Sequence, residues 1–186
     1  MRVRDEAEGS VRAGERVCGW WARVHAEYEQ GADEAGGARP LRGYTVLLGA
    51  YAASAAALVA AVRRRGPLAG RPDLTDLALV STATFQLSRT LTKSSVTAPL
   101  RAPFTTYQGT AGPGEILEAP RPGPVRHAVG ELVSCPLCMT QWVGTAGLAG
   151  LALLPRTTRW TAAAMTAVAA ANALHLAYAR AQQAAE

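Results

Sequence analysis

GELVSCPLCMTQW, residues 130–142, opens a segment that carries no charged residue over residues 132–154. Proline disfavours the α region for the residue before it and suits the first position of a helix, so a helix is expected to begin at Pro136 with Cys135 just outside it. From Pro136 to the end of the run, such a helix has about 19 residues and a length of roughly 28 Å, close to the hydrocarbon thickness of a bilayer. The segment is therefore predicted to span a membrane, with both of its cysteines at the membrane boundary.

Two other segments are as long and as apolar. Residues 44–62 carry no charge and are followed at once by three arginines, and residues 160–179 form another uncharged run. A fourth segment, residues 74–96, is interrupted by Arg89 and Lys93, and it crosses a bilayer only if these charges snorkel or face protein. The sequence predicts an all-α integral membrane helical bundle with three to four transmembrane helices at residues 44–62, 74–96, 132–154 and 160–179.

Polar segments flank and interrupt these helices. Residues 1–42 mix charges of both signs with glycine, and they are expected to form either a short amphipathic helix or a poorly ordered tail. Residues 103–128 are rich in glycine and proline and are predicted to be a loop. Residues 155–159 are predicted to be a short turn. The helical membrane domain therefore covers residues 43–180, followed by a short tail at residues 181–186.

Charge and cysteine content favour a membrane over nucleic acid. The net charge is +5 and the pI about 9.6, and the arginines cluster at the ends of the apolar runs, where they suit anionic lipid headgroups. They form no separate basic stripe with interleaved aromatic residues, so no nucleic-acid partner is expected. Three cysteines are too few for a disulfide scaffold. The polar residues 1–42 do not resemble a secretory signal, so the protein is expected to be retained in a membrane. With its several apolar segments, it is predicted to be a multi-pass protein of the cell membrane.

The sequence does not fix the orientation in the membrane. The arginines that follow residue 62 indicate a cytoplasmic first connection, and Lys93, Arg101, Arg121 and Arg126 indicate the same for the connection after the second helix. Both connections can lie in the cytoplasm only if the second helix does not cross the membrane. In that case the CPLC sequence faces the cytoplasm, where thiols stay reduced, and this favours zinc over a disulfide.

Two blocks of the sequence resemble a known family. The first contains FQLSRTLTK at residues 85–93 and APLRAPF at residues 98–104, and the second contains RHAVGEL at residues 126–132, CPLC at residues 135–138 and then Trp142. Together they resemble the bacterial membrane proteins grouped as "domain of unknown function 1360", over about residues 77–178. The motif residues carried by the resemblance are Arg89, Lys93, Arg101, Glu131 and Trp142. Family members often have an aspartate in place of Ser94. The resemblance implies a membrane location and no particular chemistry.

The CPLC sequence allows three interpretations. A Cys-Pro-Xaa-Cys pair at the start of a helix is typical of thiol-disulfide exchange, because the helix N-terminus stabilises a thiolate. Cys135 and Cys138 also have the spacing of zinc ligands, and His127, Glu131 or an equivalent pair from a second chain would complete the site. In the third interpretation the thiols simply pack at the membrane interface.

The leading hypothesis is a non-enzymatic membrane protein, structural or partner-binding, that uses the long loop and the CPLC sequence as its working surface. The alternatives are a membrane thiol-disulfide oxidoreductase and a zinc-binding membrane protein. No phosphate-binding glycine loop or serine-histidine-aspartate arrangement indicates a catalytic or cofactor-binding site. The expected partner is the lipid bilayer. Gly144, Gly147 and Gly150 form a smooth helix face that predicts a homo-oligomer.

Overall fold

The structure is a computed structural model that describes residues 19–30, 39–66 and 71–185. Helix dominates these residues, so the predicted helical fold is confirmed in outline, but a two-stranded antiparallel sheet corrects the all-α class. Residues 19–30 are helical (α1), which agrees with an amphipathic helix there. Cys18 and much of the polar N-terminal segment lie outside the described residues.

Four long helices make up the body of the protein. They are α2 (Leu41–Arg64), α3 (Leu74–Lys93), α6 (Pro136–Leu153) and α7 (Pro155–Ala185). The predicted segment 44–62 lies within α2. The predicted segment 74–96 begins where α3 begins, with Asp73 as its N-cap, and ends three residues beyond it. Asp73 caps the helix because its carboxylate accepts a bond of 2.6 Å from the Asp76 amide.

The segment predicted as one helix over residues 132–154 is two helices. Helix α5 (Pro124–Ser134) ends before Cys135, and α6 begins at Pro136. Cys135 has φ −105° and ψ 110°, the extended conformation that a following proline favours. The predicted start of a helix at Pro136 is therefore confirmed, and the assignment of residues 132–134 to the same helix is wrong.

The predicted turn over residues 155–159 is also wrong, because these residues are the first of α7. Leu154 alone separates α6 from α7, with φ −139° and ψ 61°. A proline suits the first helical position, where its missing N–H is not needed. The helix that the sequence predicted to begin at Trp160 therefore begins at Pro155.

The glycine-rich and proline-rich residues 103–128 are not a loop, and that prediction is wrong. They contain strands β1 (Thr105–Gly112) and β2 (Glu115–Pro120) and the beginning of α5. The hairpin pairs Thr105 with Pro120 and Tyr107 with Glu118. Its tight turn is made possible by Gly114, whose φ of +73° is unfavourable for other residues. A 3-10 turn (Ser95–Thr97) and a short helix α4 (Ala98–Arg101) connect α3 to β1.

The long helices run between two ends of the molecule. At one end, Arg65 donates to the Leu153 carbonyl oxygen, and Arg159 forms a bidentate ion pair with Asp76 at 2.7 Å. We call this the arginine end; it contains Arg63, Arg64, Arg65, Arg71, Arg156 and Arg159. At the other, the hairpin end, β1, β2, α4 and α5 cover the C-terminal end of α3 and the start of α6. Helix α3 packs between α6 and α7 and runs from the arginine end to the hairpin end.

Candidate functional site

A buried ion pair attaches the hairpin to the end of α3. Arg101 Nε donates to Glu118 Oε2 over 2.5 Å, and the two side chains are only 1% and 5% exposed. The other guanidinium nitrogens donate to the carbonyl oxygens of Leu91 and Ser94 and to Thr97 Oγ1. A buried charge is tolerated when it is paired and fully hydrogen-bonded. Arg101 therefore holds three elements together, and the sequence resemblance had marked it as a motif residue.

A second ion pair joins α3 to the turn of the hairpin. Arg89 donates through Nε, at 3.0 Å, and through Nη2 to Glu115 Oε1. Its guanidinium carbon also lies 5.8 Å from the ring centre of Phe85, a cation–π distance. The Arg89 and Glu115 side chains are 43% and 25% exposed, so this pair is far more open to solvent than the Arg101 pair.

This second pair lines a cleft of about 610 Å³ between α3, α7 and the hairpin turn. In the cleft, Gln86 is buried and accepts a hydrogen bond from Asn172 Nδ2 at 3.3 Å. Gln86 also donates to Thr90 Oγ1 at 3.2 Å. Gln86 is thus bonded to side chains of both α3 and α7, and His175 also lines the cleft.

Glu131 connects α5 to the beginning of α2. Its two carboxylate oxygens accept hydrogen bonds from Arg39 Nη1 and from the Tyr44 hydroxyl. His127, one helical turn earlier, places its Nε2 3.6 Å from Glu131 Oε1. The carboxylate is therefore already occupied by a cation and a hydroxyl donor, and its observed role is to clamp α2 against α5.

The two thiols of the CPLC sequence lie at the start of α6. Cys135 is the N-cap residue, and its Sγ accepts a hydrogen bond from the Cys138 amide at 3.3 Å. The structure thus places both thiols at the N-terminal end of α6, and the oxidoreductase alternative stays a prediction.

A metal site is not assembled in the part of the chain that the structure describes. No group of three or more His, Cys, Asp or Glu side chains is placed there to hold an ion. A closed zinc site needs four ligands, and Glu131 is already engaged by Arg39 and Tyr44. Zinc at Cys135 and Cys138, with His127 or Glu131, stays a prediction that would need ligands from elsewhere.

Trp142 and Lys93 are the two other motif residues, and their surroundings differ. Trp142 packs edge-to-face on Tyr51, with ring centres 5.2 Å apart, and so joins α6 to α2. Lys93 is the last residue of α3, where a cation interacts favourably with the helix dipole. Within residues 19–30, 39–66 and 71–185, no carboxylate lies at ion-pair distance from Lys93.

The glycine face of α6 is used within the chain. A Cβ added at Gly147 would lie 2.9 Å from Val80 Cγ1, and one added at Gly150 would lie 2.7 Å from Thr158 Oγ1. These glycines let α3 and the start of α7 approach α6 closely. The face formed by Gly144, Gly147 and Gly150 therefore serves packing within the chain, and a homo-oligomer through it stays a prediction.

Glu115 and Glu118 were missed in the sequence because they lie in the segment interpreted as a loop. The signal was present: Gly112-Pro113-Gly114 separates two short runs that contain Thr, Tyr and Ile, which is typical of a hairpin. Their pairing with Arg89 and Arg101 joins residues 26 and 17 positions apart. Such pairing follows from the tertiary structure and has no local sequence signature.

Comparison with known proteins supports the resemblance noted in the sequence. Comparisons with curated proteins and with solved structures gave no match. The family model described as "Protein of unknown function (DUF1360)" matches residues 79–178. This range begins in α3, includes the hairpin end and α6, and ends within α7. The match covers more than half of the chain and contains Arg89, Arg101 and Glu131, and the chain therefore belongs to the domain of unknown function 1360 family.

Proposed function

We propose that this chain is a multi-pass membrane protein whose long helices are embedded in a bilayer and whose role is structural or partner-binding. The observation that carries the proposal is the inverted distribution of apolar and polar residues. Among the described residues, three hydrophobic side chains are buried: Val80, Ala128 and Ala162. Seven polar or charged ones are buried: Asp76, Thr84, Gln86, Ser88, Thr92, Arg101 and Thr105. A protein surrounded by water needs the reverse.

The apolar side chains lie on the outside of the helices. Val46, Leu48 and Val59 of α2 are 53%, 69% and 50% exposed. Helices α2 and α7 are long and apolar enough to cross a membrane, and 0% and 6% of their apolar windows are buried inside the protein. Contiguous exposed apolar surface of this extent is unusual on a monomer in water. Lipid can surround such helices, because their backbone N–H and C=O groups are hydrogen-bonded within the helix.

Two charged residues of α3 pair with neighbouring elements, and this supports a position of the helix inside the bundle. Asp76 pairs with Arg159 and Arg89 pairs with Glu115, so each is compensated by a neighbouring element. Ionisable residues in membrane bundles usually face protein and pair in this way. Helix α6 has 18 residues, or roughly 27 Å, and lies beside α3. We therefore propose that α2, α3, α6 and α7 together form the membrane bundle.

The hairpin end is the proposed working surface. The two strands form a sheet of their own, with one additional bridge from Glu115 to Ser94, and Tyr107 and Leu117 on them are 64% and 47% exposed. The Arg101–Glu118 pair fixes the hairpin to the bundle. An exposed strand edge and apolar side chains on a fixed support suit a protein partner.

Membrane fractionation tests this proposal. The full chain should stay in the membrane fraction after washing with alkaline carbonate and should need detergent for extraction. The Cys135→Ser and Cys138→Ser double variant should fractionate in the same way and contain the same amount of metal, because the thiols are proposed to be packing groups. Release of the chain into plain buffer would contradict the membrane assignment. Loss of a stoichiometric metal in the double variant would contradict the structural role and support the zinc alternative.

A further inference from the structure

The arginine end gathers positive charge at the termini of all four long helices. Arg63 and Arg64 end α2, Arg65 follows them, and Arg156 and Arg159 lie in the first turns of α7. The Arg65 bond to the Leu153 carbonyl oxygen brings the end of α2 to the end of α6. The Arg159 pair with Asp76 brings the start of α7 to the start of α3. Charges that are dispersed in the sequence therefore meet on one face.

Most of this charge is uncompensated within the described residues. Asp76 is occupied by Arg159, and Asp73 is occupied as the cap of α3. Four arginines that are exposed to solvent have no carboxylate at ion-pair distance in that part of the chain: Arg63, Arg64, Arg71 and Arg156. With respect to the described residues, their guanidinium groups are therefore available to anions.

The hairpin end differs because five of its arginines are already bonded. Arg39, Arg89 and Arg101 pair with Glu131, Glu115 and Glu118, respectively. Arg121 donates to the Ala102 and Thr105 carbonyl oxygens, and Arg126 donates to that of Pro103. Arg42, Lys93 and Arg180 at this end have no carboxylate at ion-pair distance among the described residues, and they belong to three separate helices. In the described part of the chain, these five bonded arginines are therefore less available to anions than the four unpaired arginines of the arginine end.

We propose that the arginine end binds the anionic headgroups of the cytoplasmic leaflet, which places the hairpin end on the opposite face of the membrane. This inference rests on the proposed membrane location. Arginine binds phosphate well because its planar guanidinium donates two parallel hydrogen bonds. The cytoplasmic leaflet carries the negative surface potential that attracts basic residues beside a transmembrane helix.

The orientation changes what is expected of the thiols. Cys135 and Cys138 lie at the hairpin end, so they would face an oxidising compartment and not the cytoplasm. The sequence argument for zinc depended on a cytoplasmic location. With the hairpin end outside, that argument for zinc no longer applies.

Lipid binding at the arginine end is measurable through Trp160, which is 80% exposed beside Arg159. With Trp20, Trp21 and Trp142 replaced by phenylalanine, brominated phosphatidylglycerol should quench Trp160 more strongly than brominated phosphatidylcholine in mixed vesicles. Replacing Arg63, Arg64 and Arg156 by glutamine should reduce this preference by at least about tenfold, since each arginine near an anionic surface contributes about fivefold. The matched control replaces Arg42, Lys93 and Arg180 by glutamine and should change the preference less than about twofold. Equal effects of the two triple variants would overturn the lipid contact.

Labelling of single cysteines tests the orientation. All three native cysteines are replaced by serine, and Gln108→Cys on β1 or Thr157→Cys on α7 is introduced at an exposed position. A membrane-impermeant maleimide added to intact cells should label the cysteine at position 108, and should label that at position 157 only after lysis. The reverse pattern in a chain that stays in carbonate-washed membranes would overturn this inference alone. Release of the chain from those membranes would instead overturn the proposed function.

Discussion

Glu118→Gln should lower the free energy of unfolding by about 3–5 kcal/mol, because it leaves the Arg101 guanidinium buried without its counter-charge. The substitution keeps the size and one acceptor oxygen of the side chain, so the effect reports charge and not a cavity. Arg101 is 1% exposed, so water cannot replace the lost carboxylate. The measurement is unfolding of the detergent-purified chain in increasing sodium dodecyl sulfate, followed by circular dichroism.

Glu115→Gln is the matched control in the same hairpin. Its partner, Arg89, has a side chain that is 43% exposed, and a pair that is open to solvent is worth about 0–1 kcal/mol. The control should therefore unfold within about 1 kcal/mol of the unsubstituted protein. If both variants lost the same small amount of stability, the Arg101 pair would not be the attachment of the hairpin that we describe.

Gly43→Ala should lower the free energy of unfolding by about 1–3 kcal/mol, because α2 and α5 cross in close contact at this residue. An added Cβ would clash with the Pro124 carbonyl oxygen and lie 2.8 Å from the Ala128 Cβ. The first of these neighbours is backbone, so the two helices must move apart. The loss is expected even though alanine favours a helix over glycine by about 0.5–1 kcal/mol. The same detergent titration measures it.

Gly49→Ala in the same helix isolates the steric effect. No atom lies within 4 Å of a Cβ at that position, so the substitution should be neutral or stabilising by up to about 1 kcal/mol. The two alanine variants have the same chemistry and differ in their surroundings. Equal stability of the two would contradict the close crossing of α2 and α5.

The long helices could be predicted from the sequence because their signals are local. The uncharged residues 44–62, the arginines that follow them, and Pro136 each define a feature that does not depend on the rest of the chain. Pro155 was misinterpreted because a proline after an apolar run is compatible with a turn or with the first residue of a helix. The glycine and proline content of residues 103–128 obscured the alternation of strand-forming residues around Gly112-Pro113-Gly114.

The site was less predictable because it depends on contacts between distant residues. Arg89, Arg101 and Glu131 were identified through the family resemblance, but their partners Glu115, Glu118 and Tyr44 were not. A carboxylate in a polar segment gives no indication of which arginine it will meet. The glycine face of α6 was correctly recognised as a surface for helix packing, but the sequence could not show that α3 and α7 occupy it.

The most direct test of the central claim is whether lipid or water covers the exposed face of α2. Leu48→Cys and Val59→Cys carry a spin label in the purified chain reconstituted in vesicles, with Gln108→Cys on the hairpin as the reference. Labels at positions 48 and 59 should collide with oxygen, which dissolves in lipid, and be protected from a water-soluble nickel chelate. The label at position 108 should show the opposite preference. Free access of the nickel chelate to positions 48 and 59 would contradict a membrane-embedded bundle.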